Sequence, residues 1–324
     1  MVLIVLKMVL MTSERCPPAV RRTAAVAGML CATVLLAGCG DRANAGAEGG
    51  GTQVVGAFYP LAYVAERVAG DAAEVENLTT PGAEPHDLEL SVAQTALVAR
   101  ADLVVHLRDF QPAVDAAIAE NAEGEVLDAA DVVRLEESQH EHAGHEVEGQ
   151  DAGHEDPHFW LDPLRMADLG DAVADRLTEV DPSGADGYAA NAADLRRDLE
   201  RLDAEYAAGL ADCARETVVV SHDAFGYLGR YGLAFEPIAG LSPDAEPTAA
   251  DLARLQDLIA EDGITTVFSE TLVSPALAES LARDTGVRAA VLDPIEGLTD
   301  ATDGEDYLSL MRANLASLRE ANGC

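Results

Sequence analysis

Residues 184–213 read GADGYAANAADLRRDLERLDAEYAAGLADC, a stretch without proline that is rich in Ala, Leu, Glu and Arg. These are strong helix formers, and apolar residues recur along the stretch at helical spacing. The pattern predicts one helix over 184–212, about seven turns long at a rise of ~1.5 Å per residue. A helix of that length is a stiff connector. It divides the chain into a lobe over 52–183 and a lobe over 213–324, and it limits how far the two could hinge.

On both sides of this helix, strand and helix patterns alternate. TQVVGAFY, EVENLTT, DLVVHLR and EGEVLDAADVV read as strands, with PLAYVAERVAG, SVAQTALVARA and FQPAVDAAIAEN as helices between them. After the connector come strands TVVVSHD, LAFEPIAG, ITTVFSE and VRAAVLD. Helices AFGYLGRYG, TAADLARLQDLIAEDG, SPALAESLARDTG and EDYLSLMRANLASLREA accompany them. The fold class is therefore α/β: two parallel-sheet lobes joined by one long rigid helix.

The chain of 324 residues is 48% hydrophobic, enough to bury a substantial core. Its formal charge of -37, from 21 Lys+Arg against 58 Asp+Glu, argues against nucleic acid as a partner. The N-terminus reads as an export signal over 1–39: Arg21 and Arg22 precede the apolar run TAAVAGMLCATVLLAG, which ends in small residues before Cys39. Met11 explains the extra apolar run MVLIVLKMVL as an over-extended start. Leu36-Ala37-Gly38-Cys39 resembles a bacterial lipobox, which implies cleavage before Cys39 and acylation of its thiol. Residues 40–51 read as a flexible tether. After processing, Cys213 and Cys324 are left as a pair in an oxidising compartment, and a disulfide between them is the expected outcome.

The histidines carry the chemistry. His86 lies in PGAEPHDLEL, His158 in DPHFWLDP and His222 in VVVSHDAFGYL, each beyond a candidate strand or in a segment opening a helix. Asp293, in VRAAVLDPIEG, follows another strand. In doubly wound sheets, ligands gather beyond the carboxyl ends of strands, so these positions converge on an inter-lobe cleft. Three imidazoles and a carboxylate suit a borderline-soft divalent ion such as zinc. His106 lies inside DLVVHLR and is expected to be structural. His140, His142, His145 and His154 fall in SQHEHAGHEVEGQDAGHEDPHFW, which reads as a mobile His/acid-rich loop over 138–156 able to collect metal loosely.

These blocks, with IAGLSPDAEPT and FSETLVSP, make the chain from about Thr52 onward resemble the zinc/manganese solute-binding protein family that serves ABC transporters. The resemblance implies metal held between the lobes by His86, His158, His222 and Asp293. Some relatives recruit a nearby acid or water as the fourth donor, which makes Glu84 the competing candidate. Glu270 is the expected acceptor for a ligating imidazole N–H. Manganese-type relatives carry a carboxylate at the third position, so His222 points to zinc. The implied role is extracytoplasmic capture of Zn²⁺ by a lipid-anchored monomer that delivers it to an ABC permease. Alternatives are a manganese carrier, a zinc-dependent hydrolase or an adhesin. No G-x-S-x-G or P-loop pattern supports an enzyme.

Overall fold

The computed structural model describes residues 51–138, 155–302 and 304–324. The first lobe contains strands β1 (Thr52–Gly56), β2 (Ala73–Asn77), β3 (Leu103–His106) and β4 (Glu125–Asp128). Helices α1 (Tyr59–Ala69), α2 (Val92–Arg100) and α3 (Pro112–Asn121) connect them. All pairings are parallel, in the order β2-β1-β3-β4. Short strands β5 (Glu136–Glu137) and β6 (Glu155–Asp156) pair antiparallel at the two ends of the His/acid-rich stretch. Helix α4 (Pro163–Val180) then leads to α5 (Ala185–Leu210).

The second lobe holds β7 (Thr217–Val220), β8 (Ala234–Pro237), β9 (Thr266–Ser269) and β10 (Arg288–Val291). Around them lie α6 (Ala249–Glu261), α7 (Ala276–Thr285) and α8 (Tyr307–Asn322). Its sheet is also parallel, in the order β10-β9-β7-β8. Read from β7, this is the topology of the first lobe: the second strand lies on one side of the first, the third on the other. Each sheet therefore has a switch point beside its first strand. Both sheets belong to one compact unit, Gly49–Cys324.

The connector is a 26-residue helix, about 39 Å long at 1.5 Å per residue. Tyr188, Ala192, Leu195, Leu199, Leu202, Tyr206 and Leu210 form its buried stripe, at the three- and four-residue spacing of one helix face. Much of that stripe packs on α4, a helix absent from the sequence-based expectation although its signals are present. Asp162 caps it by accepting from Leu164 N–H at 2.9 Å, and Pro163 occupies its first turn. Met166, Leu169, Val173 and Leu177 then give the apolar face. The connector is thus one member of a packed helix pair rather than a free-standing strut.

A single hydrophobic core runs from β1 and α1 through α4 and α5 to Phe225, Phe268 and Met311 in the second lobe. A smaller cluster, including Val219, Leu255, Ile259, Val267 and Leu281, packs α6 and α7 on the second sheet. Gly56 is required where β1 meets α1, because a Cβ there would lie 2.6 Å from Ala62 backbone atoms. The expected helix AFGYLGRYG is instead a 3₁₀ turn over Gly226–Tyr231. Gly226 and Gly229 weaken an α-helix, and Gly232 at φ 90° ends it.

Cys213 and Cys324 form a disulfide across a sequence separation of 111 residues. It ties the end of α8 to the start of the second lobe. Among the described residues, no helix is long and apolar enough to cross a membrane. Cys39, His140, His142, His145 and His154 lie outside the described residues.

Candidate metal centre

Among the described residues, four side chains converge between the lobes: His86, His158, His222 and Glu296, with one donor atom from each lying within 4.8 Å of the others. His222 follows β7 directly, and Glu296 lies on the turn after β10. His86 comes from the long segment between β2 and α2, and His158 opens the turn leading into α4. Glu296 Oε1 is 3.6 Å from His86 Nε2, 3.3 Å from His158 Nε2 and 3.4 Å from His222 Nε2. The Nε2 atoms of His158 and His222 are themselves 3.4 Å apart.

These separations carry a geometric meaning. Zinc binds histidine nitrogen at about 2.0–2.1 Å, and the edge of a tetrahedron with such bonds is about 3.3–3.4 Å. The three Glu296–imidazole separations and the His158–His222 separation, 3.3–3.6 Å, are close to that edge. Both Glu296 Oε1 and His86 Nε2 are buried without a hydrogen-bond partner, a condition a bound cation would relieve.

Outer carboxylates orient two of the rings. His158 Nδ1 lies 2.7 Å from Asp156 Oδ1, and His222 Nδ1 lies 2.5 Å from Glu270 Oε1. Ser221 Oγ donates to the same Glu270 oxygen. With Nδ1 bonded in this way, each ring turns Nε2 toward the centre. His86 instead packs edge-on against Phe110, at 4.5 Å between ring centroids. Its side chain is 13% exposed, against 0% for the other two histidines.

Charge follows from this packing. Burial works against the imidazolium of His222, but Glu270 and then Glu296 more than offset it, pushing its pKa up to about 10. His158 is raised too: burial opposes its charge, and the hydrogen bond to Asp156 with the Glu296 carboxylate nearby prevails. Burial would raise Glu296, yet the imidazoles of His158, His222 and His86 around it hold it well below the usual carboxylate range. Without metal, the Glu296 anion favours the charged forms of the His158 and His222 imidazoles beside it.

Asp293 is not among the converging donors, contrary to the expectation from its position after a strand. Its Oδ1 accepts from Ile295 N–H at 2.8 Å, while Asn314 bonds both its backbone N–H and its carbonyl. Burial raises its carboxyl to about 6. Asp293 therefore shapes a turn, in which Ile295 adopts φ 59° and Glu296 swings into the site. A positive φ at a β-branched residue is a strained conformation, held here by full burial and by Trp160 Nε1 donating to Pro294 O at 2.8 Å. The positive φ that redirects the chain by three residues has no sequence signature at isoleucine, so Glu296 was missed.

Glu84 also stands outside the converging four. Its Oε2 accepts from Asp87 N–H at 3.2 Å, and burial raises its carboxyl. His106 lies apart as well, with Nδ1 3.2 Å from Asp115 Oδ1.

Two lobes of one topology, a long bridging helix and a buried three-histidine, one-carboxylate group between the sheets define a two-lobed α/β protein with a candidate metal centre. The family described as zinc-uptake complex component A, periplasmic (ZnuA) matches residues 54–321, and the chain belongs to that family. It is 35% identical over 299 residues to the zinc-binding lipoprotein AdcA of Streptococcus pneumoniae, covering 90% of this chain and 59% of that one. The chain thus spans little more than half the length of that relative. It is 29% identical to the high-affinity zinc uptake system protein ZnuA of Bacillus subtilis, covering 89% and 94% of the two chains. Among solved structures, the Zn(II)-bound ZnuA-like domain of Streptococcus pneumoniae AdcA matches with a TM-score of 0.71 and 34% identity, over 85% of this chain and 100% of that one. The laminin-binding protein Lmb of Streptococcus agalactiae, described as having adhesin and metal transporting activity, matches with a TM-score of 0.74 and 29% identity, over 84% and 99%.

Proposed function

We propose that this protein captures Zn²⁺ outside the cytoplasm and hands it to the membrane subunit of an ABC permease. One observation supports the reading: three imidazole nitrogens, from His86, His158 and His222, and a Glu296 oxygen lie within 4.8 Å of one another, several of them close to the edge of a tetrahedral zinc shell. A nitrogen-rich set favours zinc over the harder manganese ion, which prefers oxygen. Four protein donors also fill the shell, whereas a zinc hydrolase keeps one position open for water. Capture and release are then the whole chemistry, with the metal as cargo. Glu270 supports the site by holding His222. Acylation at Cys39 would keep the carrier at the outer face of the cytoplasmic membrane beside its permease, and His140, His142, His145 and His154 would add weaker metal sites.

The deciding experiment is metal content after gentle purification, followed by competition titration. One tightly held Zn²⁺ per chain, preferred over Mn²⁺, is the expected result. A wild-type preference for Mn²⁺ would overturn the ligand assignment.

A further inference from the structure

We infer that Asp156 is the positioning residue that fixes His158 for four-coordinate metal, and that the segment carrying His222 holds Asp156 in place. This deepens the zinc-capture reading and rests on it.

Asp156 Oδ1 accepts twice from the same residue: from His158 N–H at 2.9 Å and at His158 Nδ1, 2.7 Å away. One oxygen therefore sets both the backbone turn and the ring of the ligand, with Pro157 restricting the intervening φ. An imidazole whose Nδ1–H is donated has its lone pair on Nε2, the atom facing Glu296 and His222. Asp156 is only 5% exposed, so water does not compete freely for that bond.

The other side of Asp156 meets SHDAFGYL, residues 221–228. A Cβ on Gly226 would lie 2.9 Å from Asp156 Oδ2, closer than real Cβ atoms approach. Glycine at 226 is what lets the carboxylate sit there. Next to it, Tyr227 OH donates to the Asp156 carbonyl at 2.8 Å and accepts from Glu136 N–H at 2.9 Å. The segment that presents His222 thereby cradles the residue that aims His158. The two imidazoles are set relative to each other before any metal arrives, which lowers the ordering entropy of binding.

An aspartate serving only the turn would bond the backbone N–H and leave the ring indifferent, so the test must read the metal. Wild type, Asp156→Ala, Asp156→Asn and Gly226→Ala are compared as whole proteins, with folding checked by circular dichroism. The probes are Zn²⁺ in a chelator competition and Co²⁺, whose visible absorption is strong in a four-coordinate tetrahedral shell and weak when water expands it. Loss of an outer partner of a ligating histidine typically weakens metal binding 10–100-fold, and Asp156→Ala is expected to do so with a fainter cobalt band.

Asp156→Asn keeps an Oδ1 acceptor and should restore most of both signals. Gly226→Ala, which touches no ligand, should shift them as Asp156→Ala does, though less. A folded Asp156→Ala protein with unchanged zinc affinity and cobalt spectrum would overturn the assignment, as would an Asn variant as impaired as the alanine one. If Asp156→Ala fails to fold, the Asn and Gly226 variants decide. A wild-type protein that bound no zinc would instead strike the capture reading beneath it.

Discussion

The two lobes share a topology but contribute unequally to the metal centre. In the second, His222 follows β7 by two residues, Glu270 follows β9 by one, and Glu296 follows β10 by five. In the first, the donor that follows a sheet strand, His86, lies nine residues beyond β2 on a long segment. That segment is held from a distance: Gln111 Nε2 donates to Pro85 O at 3.1 Å, and Gly82 N–H reaches Leu298 O at 2.7 Å. Short links from strand to ligand inherit the rigidity of the sheet, whereas long ones must be pinned separately. The second sheet therefore sets the site, with His158 locked to it, and the first lobe completes it.

The comparison can be broken most directly at the ligands. His222→Ala should lower zinc affinity beyond the ~100-fold ceiling typical of outer partners, because it removes a donor and leaves Glu270 buried without its imidazole. His86→Ala should cost less, since its ring is partly exposed and lacks a comparable carboxylate bond. Equal losses in a chelator competition would mean that both lobes set the site.

Within the second lobe, Glu296 and Asp293 have different tasks. Glu296→Gln should weaken zinc severely by removing the anion shared by three imidazoles. Asp293→Asn retains an Oδ1 acceptor for Ile295 N–H and should bind nearly as wild type. The reverse ranking would restore Asp293 as a donor. A smaller loss, about 10–100-fold, is expected for Glu270→Ala.

Proton counting sharpens the same picture. His222 is raised to about 10, so it carries a proton at neutral pH in the metal-free protein, and His158 is raised in the same direction. Metal displaces the His222 proton. Binding should release it, and affinity should rise with pH until it flattens above about 10, where His222 is already neutral. Calorimetry in buffers of different ionisation enthalpy measures the release. No proton release at pH 7 would contradict the charge state of His222.

The smallest effect on zinc should come from the outer cluster of the second lobe. Leu255 is fully buried against α7 and the sheet, so Leu255→Ala should destabilise by about 2–5 kcal/mol. Zinc affinity of the folded fraction should not change, since that cluster contains none of the converging donors. A fall in affinity would show that the outer layer tunes the site.

Local pattern was enough for much of this protein. Alternating strand and helix periods gave two parallel lobes, propensity gave the connector, and His86, His158 and His222 stood out because imidazoles beyond strand ends have few other uses. Such signals reside in a few consecutive residues, so one sequence carries them. The fourth convergent donor required tertiary structure. Whether Asp293 or Glu296 faces the histidines depends on a strained φ at Ile295, stabilised by Asn314 and Trp160 from distant parts of the chain. The pairing of α4 with α5 and the seating of Asp156 against Gly226 are of the same kind. Each is decided by contacts between segments far apart in sequence, where burial and close approach select one geometry from several that local propensity leaves open.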